Sequence, residues 1–228
     1  MADACKKNLF VFDFDSTLVK VESLDELLIA GLKEHGKTEV IPEIEKITNM
    51  GMNGEINLQE SIQRRLALAE LKQADIENFQ EEIIKQITPG IEEIIEWLQS
   101  QNHDIYIISG GLLDCILPVA EKLNIPAEYC LANTYTCDTN GFVEKVDEEN
   151  PLVRSNGKCQ IINRLKKEQD CPVIIVGDGV SDLIPWQNKM ADYFLGFGVN
   201  VHRPKIEEQA ENYFRSTEDL LEFLKETF

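Results

Sequence analysis

Four apolar residues, Leu9 to Phe12, run straight into Asp13, with Asp15, Ser16 and Thr17 directly behind. A short apolar run bounded by polar residues reads as a fully buried strand of a parallel sheet. Open α/β sheets bind ligands outside the carboxyl ends of their strands, so these aspartates stand where such a fold does its chemistry. Side chains two apart on an extended chain point the same way, which brings Asp13 and Asp15 together. Two anions held that close repel unless a cation or a shared proton compensates. The pair therefore reads as a metal or catalytic site, the plainer alternative being a strand that ends in a solvated acidic turn.

Two further segments repeat the pattern. Ile105 to Ile108 run apolar into Ser109-Gly110-Gly111, and Val173 to Val176 into Gly177-Asp178-Gly179. Helix-like segments follow over 112–123 and roughly 182–191. Alternating strands and helices imply βαβ units and a parallel sheet, which would deliver Asp13, Ser109 and Asp178 to one edge. Between residues 22 and 87 the pattern is helical instead. Leu24, Leu27, Leu28 and Leu32 form one stripe, Asn57 with Glu60 resembles a capping box, and a third helix is expected over 74–87. The expected division is a core of residues 1–20 and 86–228, with an all-helical insertion over 21–85 lying across the strand ends. Thr88 is expected to cap the next helix, with Pro89 in its first position and Glu92 and Glu93 at the positive end of its dipole. Residues 131–146 read as a hairpin around Thr139-Asn140-Gly141, and Ser216 with Asp219 caps a C-terminal amphipathic helix.

The charge bounds the partners. A formal net charge of −19 argues against nucleic acid and anionic membranes. No apolar stretch approaches the ~20 residues that span a bilayer. The N-terminus, MADACKKNLF, lacks a secretory pattern. The six cysteines form no CxxC pair and are read as reduced packing thiols. A cytoplasmic protein acting on a small molecule is expected, as monomer or homodimer. If that molecule is an anion, a few local cations must reverse the field at the site.

Ser109-Gly110-Gly111 offers a hydroxyl and unhindered N–H groups at the start of a helix, a phosphate-binding arrangement that also occurs in plain turns. Lys158 opens the apparent helix CQIINRLKK and faces the unfavourable end of its dipole. Either it bends into solvent or it reaches the acidic cluster and a bound phosphate. Asp178 and Asp182, with Asp13, make a set of hard oxygen ligands suited to Mg²⁺, although Asp182 could equally cap its helix. Together these parts fit phosphoryl transfer. Asp13 would attack phosphorus and form an aspartyl-phosphate. Asp15 would protonate the leaving alcohol and then activate water. Mg²⁺ and Lys158 would neutralise the phosphate oxygens.

Asp13-Phe14-Asp15-Ser16-Thr17, Ser109-Gly110-Gly111, Lys158 and Gly177-Asp178-Gly179-Val180-Ser181-Asp182 resemble, in order, the four motifs of the haloacid dehalogenase superfamily. Within it the chain is similar nearly end to end to the phosphoserine phosphatase family, including Met52-Asn53-Gly54, Gln63-Arg64-Arg65-Leu66, Thr88-Pro89-Gly90 and Gly196-Phe197-Gly198. The resemblance implies a Rossmann-like α/β core with a helical-bundle cap of the C1 type after the first strand. It implies Mg²⁺ bound by Asp13, the backbone carbonyl of Asp15, and Asp178, with Asp182 in support. Phosphate would be held by Ser109, Gly110 and Lys158, with Arg203 nearby, and Gly111 and Ser181 are expected among the substrate contacts. Glu22 would face the substrate ammonium, Arg65 its carboxylate, and Met52 would pack beside it. The implied reaction is hydrolysis of O-phospho-L-serine. Arg65 suits a carboxylate because it can grip both oxygens, though an ion pair with a cap glutamate would also explain it, as solvation would explain Glu22.

Three positions depart from the family pattern. Leu58 and Leu112 replace phenylalanines, and Ser181 replaces a common asparagine. These bear on substrate, leaving open another small phosphomonoester or an alcohol as phosphoryl acceptor. A phospho-aspartate signalling switch is the contrasting class, but it would avoid an acid two residues beyond its nucleophile. An inactive binding protein fits a complete motif set poorly.

Overall fold

The computed structural model describes residues 7–52 and 55–228, with Met52 described by its backbone alone. Asn53, Gly54, Cys5 and the Met52 side chain, all weighed in the sequence, lie outside the described residues.

The first strand, β1 (Leu9–Phe12), sits mid-sheet and pairs in parallel with β2 (Asp104–Leu112) on one side and β6 (Val173–Gly177) on the other. The three apolar runs thus become three adjacent strands. Phe12 lies beside Ile107 and Val176, so the chain leaves all of them at one edge. The sheet has six strands, in the order β3-β2-β1-β6-β7-β8, with β3 at Cys130–Asn133, β7 at Tyr193–Phe197 and β8 at Asn212–Phe214.

Alternation along the strands divides the interior. Phe10, Phe12, Ile105, Ile107, Ile174 and Val176 face one apolar cluster. Leu9, Val11, Tyr106, Ile108, Val173 and Ile175 face the other. Helices α5 (Ile91–Ser100), α6 (Leu113–Lys122) and α10 (Thr217–Thr227) cover the first face with Ile94, Leu98, Ile116 and Leu224. Helices α7 (Gly157–Gln169), α8 (Val180–Gln187) and α9 (Pro204–Glu207) cover the second with Ile162, Leu165, Leu183 and Ile206.

Between β1 and β2 the chain forms α1 (Ser23–Glu34), α2 (Ile41–Met52), α3 (Leu58–Ala69) and α4 (Gln73–Ile84). The expected stripe is real: Leu27, Leu28 and Leu32 are fully buried. Asn57 accepts the N–H of Glu60 at 2.8 Å, closing the expected cap of α3. Ser216 likewise accepts from Asp219 at 3.1 Å.

Three expectations need correction. Residues 131–146 are not one hairpin: Cys130–Asn133 joins the main sheet, and only β4 (Tyr135–Cys137) and β5 (Val143–Val146) pair antiparallel. Thr88 does not cap α5. Gly90 begins that helix at φ +86, while the Thr88 hydroxyl donates to the Thr17 carbonyl at 2.8 Å. Ser109-Gly110-Gly111 does not open a helix but ends β2, where a register irregularity lies between Ile108 and Leu112, and α6 begins only at Leu113. Among the described residues no helix is long and apolar enough to cross a membrane.

Candidate active site

At the end of β1 the Asp13 N–H still donates to the Val176 carbonyl at 2.9 Å, so Asp13 inherits the rigidity of the sheet. Its Oδ1 accepts the Phe14 N–H at 2.7 Å. The chain then makes a wide turn over Phe14–Leu18, with the Val19 N–H reaching back to the Phe14 carbonyl at 3.1 Å. Ser16 takes φ +55 in this turn, a left-handed conformation that is costly for a residue with a Cβ. Asn200 helps hold it, donating to the Ser16 carbonyl at 3.1 Å and to the Thr88 hydroxyl at 2.7 Å.

The turn aims Asp15 at the start of α1, where its Oδ1 accepts the Ser23 N–H at 2.7 Å. Burial pushes the Asp15 carboxyl up to about 8, and the neighbouring Glu22 adds to the shift. It is therefore a carboxylic acid that holds its proton near neutrality. Glu22 is also raised, chiefly by burial, and its Oε1 accepts the Ser16 hydroxyl at 2.9 Å.

Lys158 follows Gly157 at the start of α7. A Cβ on Gly157 would lie 2.1 Å from the Pro151 carbonyl oxygen, so only glycine fits. The lysine does not bend into solvent: it is buried, with Nζ 2.7 Å from Asp13 and 2.6 Å from Asp182. Burial disfavours its charge, but the two carboxylates outweigh that and raise its pKa, so it stays protonated. Asp182 does cap its helix, and it also pairs with Lys158. One oxygen meets Lys158, and the other accepts the Gly179 N–H at 3.2 Å, capping α8.

Asp13, Asp178 and Asp182 each offer a carboxylate oxygen, and these lie within 4.8 Å of one another. Burial and Asp13 raise the Asp178 carboxyl, while Arg203 opposes the shift with Nε at 2.8 Å and Nη2 at 2.7 Å from its Oδ2. Three clustered carboxyl groups outnumber the cations beside them, Lys158 and Arg203, and burial with Asp13 pushes Asp182 up to about 8, a crowding of acids that a divalent cation would relieve. Hard oxygen donors of this kind fit such a cation.

These groups open on a cavity of about 230 Å³. Its wall includes Asp13, Asp15, Glu22, Arg65, Lys158 and Asp178. Ser109, Gly110, Gly111, Ser181 and Arg203 line it as well, while Asp182 is buried and does not. Ser109 Oγ accepts the Gly111 N–H at 3.0 Å, and Asn133 donates to the Gly110 carbonyl at 2.8 Å, fixing the loop from behind.

A family model for haloacid dehalogenase-like hydrolases matches residues 10–184. Phosphoserine phosphatase of Bos taurus is 33% identical over 223 residues, covering 97% of this chain and 95% of its own. The chain belongs to the haloacid dehalogenase-like hydrolase family. It is similar in structure to a phosphoserine phosphohydrolase-like protein from Francisella tularensis subsp. tularensis SCHU S4, with TM-score 0.84 and 33% identity over 96% of this chain and 99% of that one. It is also similar to a phospho-aspartyl intermediate analogue of phosphoserine phosphatase, with TM-score 0.74 and 30% identity over 96% and 99% of the two chains. Like its relatives, this haloacid dehalogenase-like hydrolase is a phosphomonoester hydrolase.

Sequence reasoning missed the partner of Arg65. Its Nη1 lies 2.5 Å from Asp25 on α1, an ion pair with an aspartate where a glutamate was considered. Asp25 sits in the first turn of α1, where an acid looks like ordinary dipole compensation. Asn200, Arg154 and Ser155 stand on loops without periodicity and Leu152 in a single 3-10 turn, too short to show any, so the sequence does not mark them. Of the departures from this hydrolase family's pattern, Leu58 lines the cavity, whereas Leu112 is buried in the core behind it.

Proposed function

We propose that the protein is a Mg²⁺-dependent phosphatase that hydrolyses O-phospho-L-serine to L-serine and phosphate through an aspartyl-phosphate on Asp13. The observation that carries this reading is the division between the two aspartates. Asp13 bonds a buried cation, while burial pushes the Asp15 carboxyl up to about 8, which suits the first to attack phosphorus and the second to give a proton.

An Asp13 carboxylate oxygen bonds to phosphorus as the bond to the serine oxygen breaks. Asp15 gives that oxygen its proton, so serine leaves neutral at the hydroxyl. The Asp15 carboxylate then takes a proton from water, whose oxygen bonds to phosphorus and releases the Asp13 carboxylate. Lys158 and Ser109 hold the phosphoryl oxygens throughout. Mg²⁺, held by Asp13, Asp178 and the Asp15 carbonyl with Asp182 in support, would supply further neutralisation of phosphate charge. Glu22 receives the ammonium and Arg65 the carboxylate. In this reading residues 21–85 act as a helical cap over a core of 1–20 and 86–228.

The test is phosphate release from both phosphoserine enantiomers, phosphothreonine and phosphoethanolamine, with Mg²⁺ and with EDTA. The L-enantiomer should give the highest kcat/KM, and EDTA should abolish turnover. Phosphoethanolamine turned over as well as L-phosphoserine would contradict the substrate assignment.

A further inference from the structure

Four cations line the cavity, and three of them are already matched by carboxylates. Lys158 faces Asp13 and Asp182, Arg203 faces Asp178, and Arg65 faces Asp25. The fourth is Arg154. Among the described residues it forms no ion pair, and its one side-chain hydrogen bond runs from Nη2 to the Glu148 carbonyl at 3.2 Å. A guanidinium carries five N–H donors and stays charged at any working pH. Arg154 therefore brings unneutralised positive charge and free donors to a cavity in a chain of net charge −19.

Its side chain is exposed, but its backbone is fixed. The Arg154 N–H donates to the Pro151 carbonyl at 3.0 Å, and its own carbonyl accepts the Gly157 N–H at 2.9 Å. The turn that seats Lys158 therefore seats Arg154 as well. The Glu148 side chain, in turn, accepts from Gln63 at 3.0 Å, on the same helix as Arg65. Arg154 thus stands at the seam between α3 and the loop leading into α7. Leu58, Ile62 and Leu152 supply an apolar wall to the same cavity.

We propose that Arg154 is a second substrate-recognition cation, which binds the carboxylate of the phosphomonoester together with Arg65 and so selects amino-acid esters over uncharged or cationic ones. The inference rests on the phosphatase reading above. Arg65 has part of its hydrogen-bonding capacity committed to Asp25, whereas Arg154 has capacity to spare. An arginine pair of this kind reads negative charge at the end of the substrate remote from phosphorus. Arg154 touches no reacting atom, so it acts on binding.

The experiment compares kcat and KM for L-phosphoserine and phosphoethanolamine in the wild type, Arg154→Gln, Arg154→Glu and Arg154→Lys. Losing one charge-assisted contact at a partly solvated rim corresponds to a loss of about tenfold. Arg154→Gln should therefore lower kcat/KM for phosphoserine about tenfold more than for phosphoethanolamine, chiefly through KM. Arg154→Glu should lower it further, and Arg154→Lys should recover part of it. If Arg154 only tethers Glu148, both substrates will suffer equally, and that result overturns the proposal while leaving the phosphatase reading intact. A wild type that turns over neither substrate overturns the phosphatase reading, and the role of Arg154 falls with it.

Discussion

Lys158 places its Nζ 2.7 Å from Oδ1 of Asp13, and both side chains are buried. The contact joins the start of α7 to the end of β1, two points made neighbours only by the parallel sheet. It sets a buried positive charge against the proposed nucleophile, in a site where burial raises Asp15 and Asp178.

Lys158→Met should leave Asp13, Asp178 and Asp182 clustered without their central cation. Removing one partner from a buried charge network costs about 3–5 kcal/mol. Urea unfolding in EDTA should show a loss of that size, and turnover should become undetectable. A loss below about 1 kcal/mol would mean that the lysine is not the charge holding the cluster together.

The acid Asp15 sets a pH dependence of stability. Its carboxyl stands at about 8 in the fold against 3.8 unfolded. Between those values the native state keeps a proton that the unfolded chain releases, so stability falls as pH rises. Metal-free protein should be more stable near pH 5 than near pH 8 in urea titrations, and Asp15→Asn should remove part of the slope, the rest staying with Asp182, which burial also pushes up to about 8. A slope of equal steepness in that variant would assign the proton elsewhere.

Arg65 is held by Asp25 yet faces the cavity. Arg65→Ala should reduce kcat/KM for phosphoserine at least about tenfold more than for phosphoethanolamine, because a bidentate carboxylate grip is lost. Steady-state kinetics on the two esters measure the difference. Equal losses would confine Arg65 to its ion pair.

Gly157→Ala should be among the more damaging small substitutions. The added methyl would lie 2.1 Å from the Pro151 oxygen and 2.8 Å from the Leu152 Cα, both backbone atoms that cannot swing away. Forced overpacking of this kind costs about 1–3 kcal/mol. Thermal denaturation should report that loss, and kcat should fall because Lys158 is the next residue. Wild-type stability would show that the turn yields.

The parts legible in the sequence were those with a strong local signal. β1, β2 and β6 are continuous apolar runs, and each ends in polar residues that the sheet gathers at one edge. The helical stripe of α1 and the caps of α3 and α10 follow from side-chain spacing alone. The edge strands were not legible. β8 is three half-buried residues, Asn212–Phe214, too short for periodicity and defined only by pairing with β7. β3 was hidden because its residues run directly into a real hairpin. Asp25 and Arg154 escaped notice for a different reason. Each is an ordinary charged residue until the fold sets one beside Arg65 and the other at the cavity mouth.

In the proposed reaction Asp13 is the group that takes the phosphoryl. Acid quench of the enzyme during turnover of radiolabelled phosphoserine, followed by peptide mapping, tests this most directly. Label should appear as a hydroxylamine-labile acyl phosphate on the peptide carrying Asp13, and Asp13→Asn should lose both the label and phosphate release. Label on another residue, or turnover persisting in Asp13→Asn, would contradict it.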